Sequence, residues 1–208
     1  MIGYYGYGIA LTYLGVVSAT IGINLALKDN IVGAIICLIV SGICDMFDGT
    51  VARLKERTKQ EEHYGIEIDS LADLVCFGVF PTIIGYSLGL DSIYHVIIYA
   101  MYILAALIRL AYFNVTQAEI TSISNEPRRY YVGLPVTSVA CIIPLIYLIS
   151  HMCNWPYEII YAPLLLIISV AFVSKFKIAK PRFNHLIIFL LVGVISIMAL
   201  LYIGGRLR

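Results

Sequence analysis

The sequence predicts an all-α fold: a polytopic helical membrane protein with about seven (six to eight) transmembrane helices. Of its 208 residues, 61% are hydrophobic and 13% charged, which is about half the charge density of an ordinary soluble domain and too little to cover a soluble surface. Several apolar runs reach the roughly 20 residues that cross a hydrocarbon core. Between residues 74 and 108 the sole Asp, Glu, Lys or Arg is Asp91, and from 183 to 205 there is none. A formal net charge of +1 excludes a general nucleic-acid binder, which needs a basic surface.

Hydropathy and helix breakers place the spans at about 8–27, 31–56, 66–89, 92–115, 133–150, 156–173 and 184–204. The start, Met1-Ile2-Gly3-Tyr4-Tyr5, has neither a basic n-region nor a small-residue cleavage site. The first run is therefore expected to stay as a span. Lys28-Asp29-Asn30 separates the first two spans, Gly89-Leu90-Asp91 the third and fourth, and Asn154-Trp155-Pro156 the fifth and sixth. These short polar, Gly and Pro segments predict tight turns. No internal repeat or low-complexity tract interrupts the pattern, so residues 1–208 read as a single integral-membrane domain. The five cysteines (37, 44, 76, 141 and 153) show no metal-ligand spacing and read as small hydrophobes.

Orientation follows from the basic loops. Lys55, Arg57 and Lys59 follow the second span, Arg128 and Arg129 precede the fifth, and Lys175, Lys177, Lys180 and Arg182 follow the sixth. With seven spans all three loops share one side, which the positive-inside rule makes cytoplasmic. The expected location is the cell (cytoplasmic) membrane. Arg206 and Arg208 then fall on the far side, against that trend.

Charge is concentrated in one place. Twelve charged residues lie between positions 45 and 73, among them four of the six aspartates: Asp45, Asp48, Asp69 and Asp73. A carboxylate within a span costs on the order of 3 kcal/mol unless it is paired or cation-bound. At about 100° per residue, Asp45, Asp48, Gly49, Ala52 and Arg53 fall within an arc of roughly 140°. Gly65, Asp69, Ala72, Asp73 and Cys76 share one face of the following helix.

Two faces carrying two aspartates each can meet across a helical hairpin near the cytoplasmic interface. Hard oxygen donors in that number suit Mg²⁺ or Mn²⁺, whereas zinc favours His or Cys. Gly49 and Gly65 leave room for close approach, and Arg53 offers a planar fork for phosphate. Two divalent cations beside that arginine suggest chemistry on a phosphate ester. The bland alternative is that the aspartates only pair with Arg53, Lys55 and Arg57 to hold the helices, which does not require four of them on two faces.

The run Asp45-Met46-Phe47-Asp48-Gly49-Thr50-Val51-Ala52-Arg53, followed by Gly65-Ile66-Glu67-Ile68-Asp69-Ser70-Leu71-Ala72-Asp73, resembles the signature of the CDP-alcohol phosphotransferases, D-x-x-D-G-x-x-A-R then G-x-x-x-D-x-x-x-D, at all eight fixed positions. Segments 69–78, 109–114 (Arg109-Leu110-Ala111-Tyr112-Phe113-Asn114), 133–135 and 173–177 are similar to the phosphatidylserine synthase branch of that family in bacteria and archaea. Three features depart from the pattern. The spacer from Arg53 to Gly65 is eleven residues against a commoner eight, and Glu62 stands where a hydroxyl residue is usual, with Thr58 as a substitute. Ala10-Leu11-Thr12 replaces an expected Pro-Asn near the first span.

The resemblance implies that Asp45, Asp48, Asp69 and Asp73 bind two divalent cations, Mg²⁺ or Mn²⁺. It implies that Gly49 and Arg53 contact the CDP part of CDP-diacylglycerol, and that Asp73 takes the proton from the attacking hydroxyl of L-serine, giving phosphatidylserine and CMP. It also implies a homodimer in the lipid bilayer. Arg109, near the cytoplasmic end of the fourth span, is a candidate for the serine carboxylate or a lipid phosphate, or for pairing with a motif aspartate. Arg128, Arg129, Lys175 and Lys177 are candidates for anionic head groups, or serve topology alone. The same chemistry with glycerol 3-phosphate or inositol phosphate as acceptor stays open. A cation transporter is the reading from another class, but the repeated halves and mid-membrane broken helices of transporters are not visible.

Overall fold

The computed structural model describes residues 3–4, 6–52, 54, 57–123, 130–179 and 183–206. Each expected span contains an α-helix. Helices α1 (Tyr7–Ala26) and α2 (Ile31–Ala52) form a hairpin, and α3 (Lys59–Asp73) runs through a π-helical turn (Leu74–Val79) into α4 (Phe80–Ser87). Then come α5 (Ile93–Ile123), α6 (Val139–Met152), α7 (Tyr157–Val173) and α8 (Phe183–Arg206). The stretches Tyr7–Ala26, Ile31–Ala52, Lys59–Ser87 and Ile93–Thr116 are each long and apolar enough to cross a membrane; Val136–Met152, Tyr157–Val173 and Phe189–Tyr202 are shorter apolar helices. The tight turns are where breakers placed them, with Asp29, Gly89 and Asn154 at positive φ.

The α1–α2 hairpin packs through a seam of small residues. The buried positions of α1 are Gly8, Thr12, Gly15, Ala19, Gly22 and Ala26, alternately four and three apart, the spacing that keeps one stripe facing a neighbouring helix. A Cβ on Gly8 would stand 2.6 Å from the Ala52 Cβ and 2.9 Å from the Asp48 carbonyl oxygen, so the backbones meet only because no side chain intervenes. Two hydroxyls stitch the seam: Ser18 Oγ donates to the Cys37 carbonyl (3.0 Å) and Ser41 Oγ to that of Gly15 (2.9 Å). Asn30 caps α2, its Oδ1 accepting from the Gly33 amide at 3.0 Å.

Four boundaries differ from the sequence expectation. Helix α2 is described to Ala52 and Leu54 beyond it lies in a turn, while 53, 55 and 56 lie outside the described residues. Helix α3 begins at Lys59 rather than 66, because Thr58 and Glu61 form a capping box: Thr58 Oγ1 accepts from the Glu61 amide, and the Glu61 carboxylate accepts from the Thr58 amide. Most of the long spacer is thus helix. Helix α5 runs to Ile123, past 115. Residues 133–135 are not helical: Gly133 takes φ +77°, Pro135 is extended, and a 3₁₀ turn (Val136–Ser138) leads into α6.

A short antiparallel ribbon, absent from the sequence reading, pairs β1 (Tyr130–Val132) with β2 (Lys177–Ala179). It is anchored where the Gly133 amide donates to the Phe176 carbonyl (2.8 Å) and the Leu134 amide to that of Ala171 (3.2 Å). A Cβ at Gly133 would stand 2.9 Å from the Phe172 carbonyl oxygen, so both backbone conformation and close approach select glycine there.

The π turn has a sequence cause. Pro81 has no N–H to give the Phe77 carbonyl four residues back, and its ring crowds that oxygen. The helix widens instead, the Phe80 amide bonding to the Val75 carbonyl. The freed Phe77 carbonyl accepts from Tyr102 Oη at 2.7 Å, and the Pro81 carbonyl accepts from Tyr161 Oη at 2.7 Å. Around these bonds lies the core, with Phe77, Phe80, Tyr102, Tyr161 and Phe172 at most 1% exposed.

Candidate active site

The hairpin brings the two motif faces together. Asp45 and Asp48 project from the last two turns of α2, and Asp69 and Asp73 from the end of α3, into one small pocket. Thr12 and Gly15 of α1 and Ser41 of α2 complete the pocket wall on one side, and Ala72, Cys76 and Phe77 on the other. Donor oxygens of Asp45, Asp48 and Asp69 lie within 4.8 Å of one another. Asp73 is within hydrogen-bonding reach of Asp45, as Asp69 is of Asp48. All four expected aspartates therefore converge.

Their surroundings are unusual for carboxylates. Asp48 and Asp73 are each 9% exposed. Asp69 Oδ1 is buried with no hydrogen-bond partner, an arrangement that costs on the order of 1–3 kcal/mol or more for a charged group. Like charges this close repel strongly where water is scarce. An orphaned carboxylate oxygen within an all-oxygen donor set fits a hard divalent cation, which would be held by Asp45, Asp48 and Asp69, with Asp73 beside them in the same pocket.

One contact was not foreseen. Thr12 Oγ1 donates to Asp48 Oδ2 at 2.7 Å. Thr12 belongs to the Ala10-Leu11-Thr12 run that stands in place of the Pro-Asn expected near the first span. The sequence signal available was its place in the small-residue stripe of α1, which alone does not say what α1 faces.

The other candidate residues fall in several places. Gly49, next to Asp48, is exposed, and a Cβ there would meet nothing within 4 Å, so the backbone is open to a ligand. Arg53, Arg128 and Arg129 lie outside the described residues. Arg109 is buried at 6% exposure; its Nε donates to the Leu134 carbonyl at 3.1 Å and its guanidinium lies 5.5 Å from the Phe113 ring centre. It thereby ties α5 to the segment between the ribbon and α6. Lys175, after α7, is exposed, and Lys177 lies in β2. Thr58, the substitute hydroxyl, is committed to the α3 cap, where it also donates to Glu61 Oε2 at 3.0 Å. Glu62 and His63 are exposed on the first turns of α3.

The second half-motif is also braced from α5. Asn114 Nδ2 donates to Ser70 Oγ at 2.9 Å, and Ser70 Oγ lies 3.1 Å from Asn114 Oδ1. Ser70 follows Asp69 directly, so this pair ties the turn that carries Asp69 to α5 at Asn114.

Comparison with known proteins gives the family. The model of the CDP-alcohol phosphatidyltransferase family matches residues 9–175, from α1 to just past α7. The chain belongs to that family. Among curated relatives of this family, the CDP-diacylglycerol–serine O-phosphatidyltransferase of Saccharomyces cerevisiae is 36% identical over 160 residues, 69% of this chain. The protein of that name from Bacillus subtilis is 28% identical over 167 residues, 79% of this chain. The archaetidylserine synthase of Methanothermobacter thermautotrophicus is 28% identical over 173 residues, 83% of this chain. The matches span 57%, 82% and 68% of those relatives respectively.

Proposed function

We propose that this chain transfers the phosphatidyl group of CDP-diacylglycerol to L-serine, releasing CMP and forming phosphatidylserine. The observation that carries the reading is the meeting of Asp45, Asp48, Asp69 and Asp73 in one pocket bounded by α1, α2 and α3. The choice of serine is supported by the names of the relatives and by the branch-like segments at 69–78, 109–114 and 133–135.

In this reading the four aspartates hold two divalent cations, Mg²⁺ or Mn²⁺, which supply charge neutralisation at the pyrophosphate. Asp73, buried at the end of α3, accepts the proton of the serine hydroxyl as the serine oxygen bonds to the phosphorus that carries diacylglycerol. The bond from that phosphorus to the oxygen of the CMP phosphate breaks, and the electron pair leaves with CMP. Gly49 lets the nucleotide approach the end of α2, and Arg53 pairs with its phosphates. Arg109, Arg128, Arg129 and Lys175 are assigned to the acceptor or to lipid head groups.

The basic loops favour a cytoplasmic-facing site in the cell membrane, where acyl chains stay in lipid while nucleotide and serine arrive from water. A homodimer belongs to the same reading and rests on the family resemblance.

The test is CMP release by purified protein in detergent with CDP-diacylglycerol and Mn²⁺ or Mg²⁺, offering L-serine, glycerol 3-phosphate and inositol phosphate separately. Serine- and metal-dependent release that disappears in Asp73→Asn is expected. Release with another acceptor alone overturns the substrate. Absence of metal-dependent release with every acceptor, from folded protein, overturns the reaction.

A further inference from the structure

We propose that Thr12 is a positioning residue for the metal site, holding Asp48 in the orientation in which its remaining lone pairs face the other aspartates. This rests on reading the aspartate cluster as a cation site. Thr12 reaches the cluster from a third helix, α1, which contributes none of the four carboxylates. Its hydroxyl lies 2.7 Å from Asp48 Oδ2 and 3.3 Å from the Gly8 carbonyl oxygen. A hydroxyl has one proton to give, and the shorter, charge-assisted contact takes it.

Both residues are enclosed, Thr12 at 7% and Asp48 at 9% exposure, so water does not compete for the bond. The approach is built into the seam. Gly8 and Gly15 flank Thr12 by one turn on either side, and the contact at Gly8 leaves no room for a side chain against Asp48 and Ala52. Thr12 is β-branched and has few χ1 rotamers open to it in a helix, and the one it takes places Oγ1 on Asp48 Oδ2. One oxygen of Asp48 is thereby oriented by α1, and the carboxylate cannot rotate freely when the cation leaves. Groups that orient a metal ligand in this way typically contribute 10–100-fold to metal affinity.

The experiment compares Thr12→Val, which keeps the shape and removes the donor, with Thr12→Ser, which keeps the donor. Thr12→Ala is the second donor-free variant should the valine protein fail to fold. Mn²⁺ binding to substrate-free protein in detergent is followed by the electron paramagnetic resonance signal of free Mn²⁺, and thermal stability is measured in EDTA. The expected result is Mn²⁺ affinity weakened about tenfold or more in Thr12→Val and Thr12→Ala, and within about twofold of the parent in Thr12→Ser. Stability in EDTA should also fall in the donor-free variants, because a buried carboxylate loses its donor, so the Mn²⁺ affinity of the folded protein is the readout specific to positioning. Parent-like Mn²⁺ affinity in the donor-free variants overturns the role of Thr12 while leaving the cation site intact. Failure of the parent itself to bind Mn²⁺ or Mg²⁺ overturns the metal reading and this inference with it.

Discussion

Tyr102 of α5 donates its hydroxyl to the Phe77 carbonyl oxygen at 2.7 Å, inside the π turn that follows Asp73. Both residues are essentially inaccessible, at 0% and 1% exposure. The bond satisfies a carbonyl that Pro81 cannot serve, so the widened turn holds its shape without water. Helix α3 therefore reaches the core with Asp73 at a fixed depth, one residue before the helix changes pitch.

Tyr102→Phe removes the donor and strands that carbonyl in an apolar setting. The expected loss is about 1–3 kcal/mol, read as a fall of several degrees in the thermal transition in detergent. Tyr94→Phe, on an exposed part of the same helix at 75% exposure, should change stability by less than about 0.5 kcal/mol. Equal effects from the two would show that the hydroxyl of Tyr102 contributes nothing to the π turn.

The crowding of four carboxylates predicts a metal-dependent stability with a definite sign. A cation that binds the folded cluster and not the unfolded chain stabilises by about 2.7 kcal/mol at one hundred times its dissociation constant. Adding Mn²⁺ or Mg²⁺ should raise the thermal transition, and EDTA should lower it. Asp69→Asn removes one like charge, and with it the need to place an unpartnered carboxylate oxygen. In EDTA that variant should be at least as stable as the parent, yet gain little from metal. Scanning fluorimetry in both conditions checks it; a parent protein indifferent to metal contradicts it.

The Thr58 cap separates two roles for one hydroxyl. If Thr58 serves α3, Thr58→Ala should cost about 0.5–2 kcal/mol while KM for CDP-diacylglycerol stays within about twofold. A KM raised tenfold or more at unchanged stability would return Thr58 to nucleotide binding.

The sequence made the spans and the aspartate faces legible because both depend on short-range pattern. Hydropathy is summed along a window, and residues three or four apart must share a helix face wherever that helix packs. The start of α3 was legible in principle from Thr58-x-x-Glu61, but the charged segment masks it in a hydropathy profile. The π turn was foreshadowed by Pro81, although its resolution needed Tyr102, 25 residues from Phe77. What could not be read was long-range partnership. The Thr12–Asp48 contact joins positions 36 apart, and the β1–β2 ribbon pairs Tyr130 with Ala179. Neither partner in these pairs carries a local signal that names the other.

The Ser70–Asn114 pair gives the last test, because it couples the half-motif on α3 to α5 across 44 positions. Both side chains are partly buried, and they engage each other at 2.9 and 3.1 Å. Polar pairs between membrane helices are worth about 0.6 kcal/mol on average and rarely exceed about 1.7, so each single alanine variant should be only mildly destabilised. The pairing itself appears in the cycle: Ser70→Ala and Asn114→Ala should be non-additive by about 0.5–1.5 kcal/mol, the double variant being more stable than the sum of singles predicts. Since Ser70 adjoins Asp69, the same variants should weaken Mn²⁺ binding together, each by a similar factor, with little further loss in the double variant. Strict additivity in both readouts would mean that α5 packs beside α3 without helping to fix Asp69.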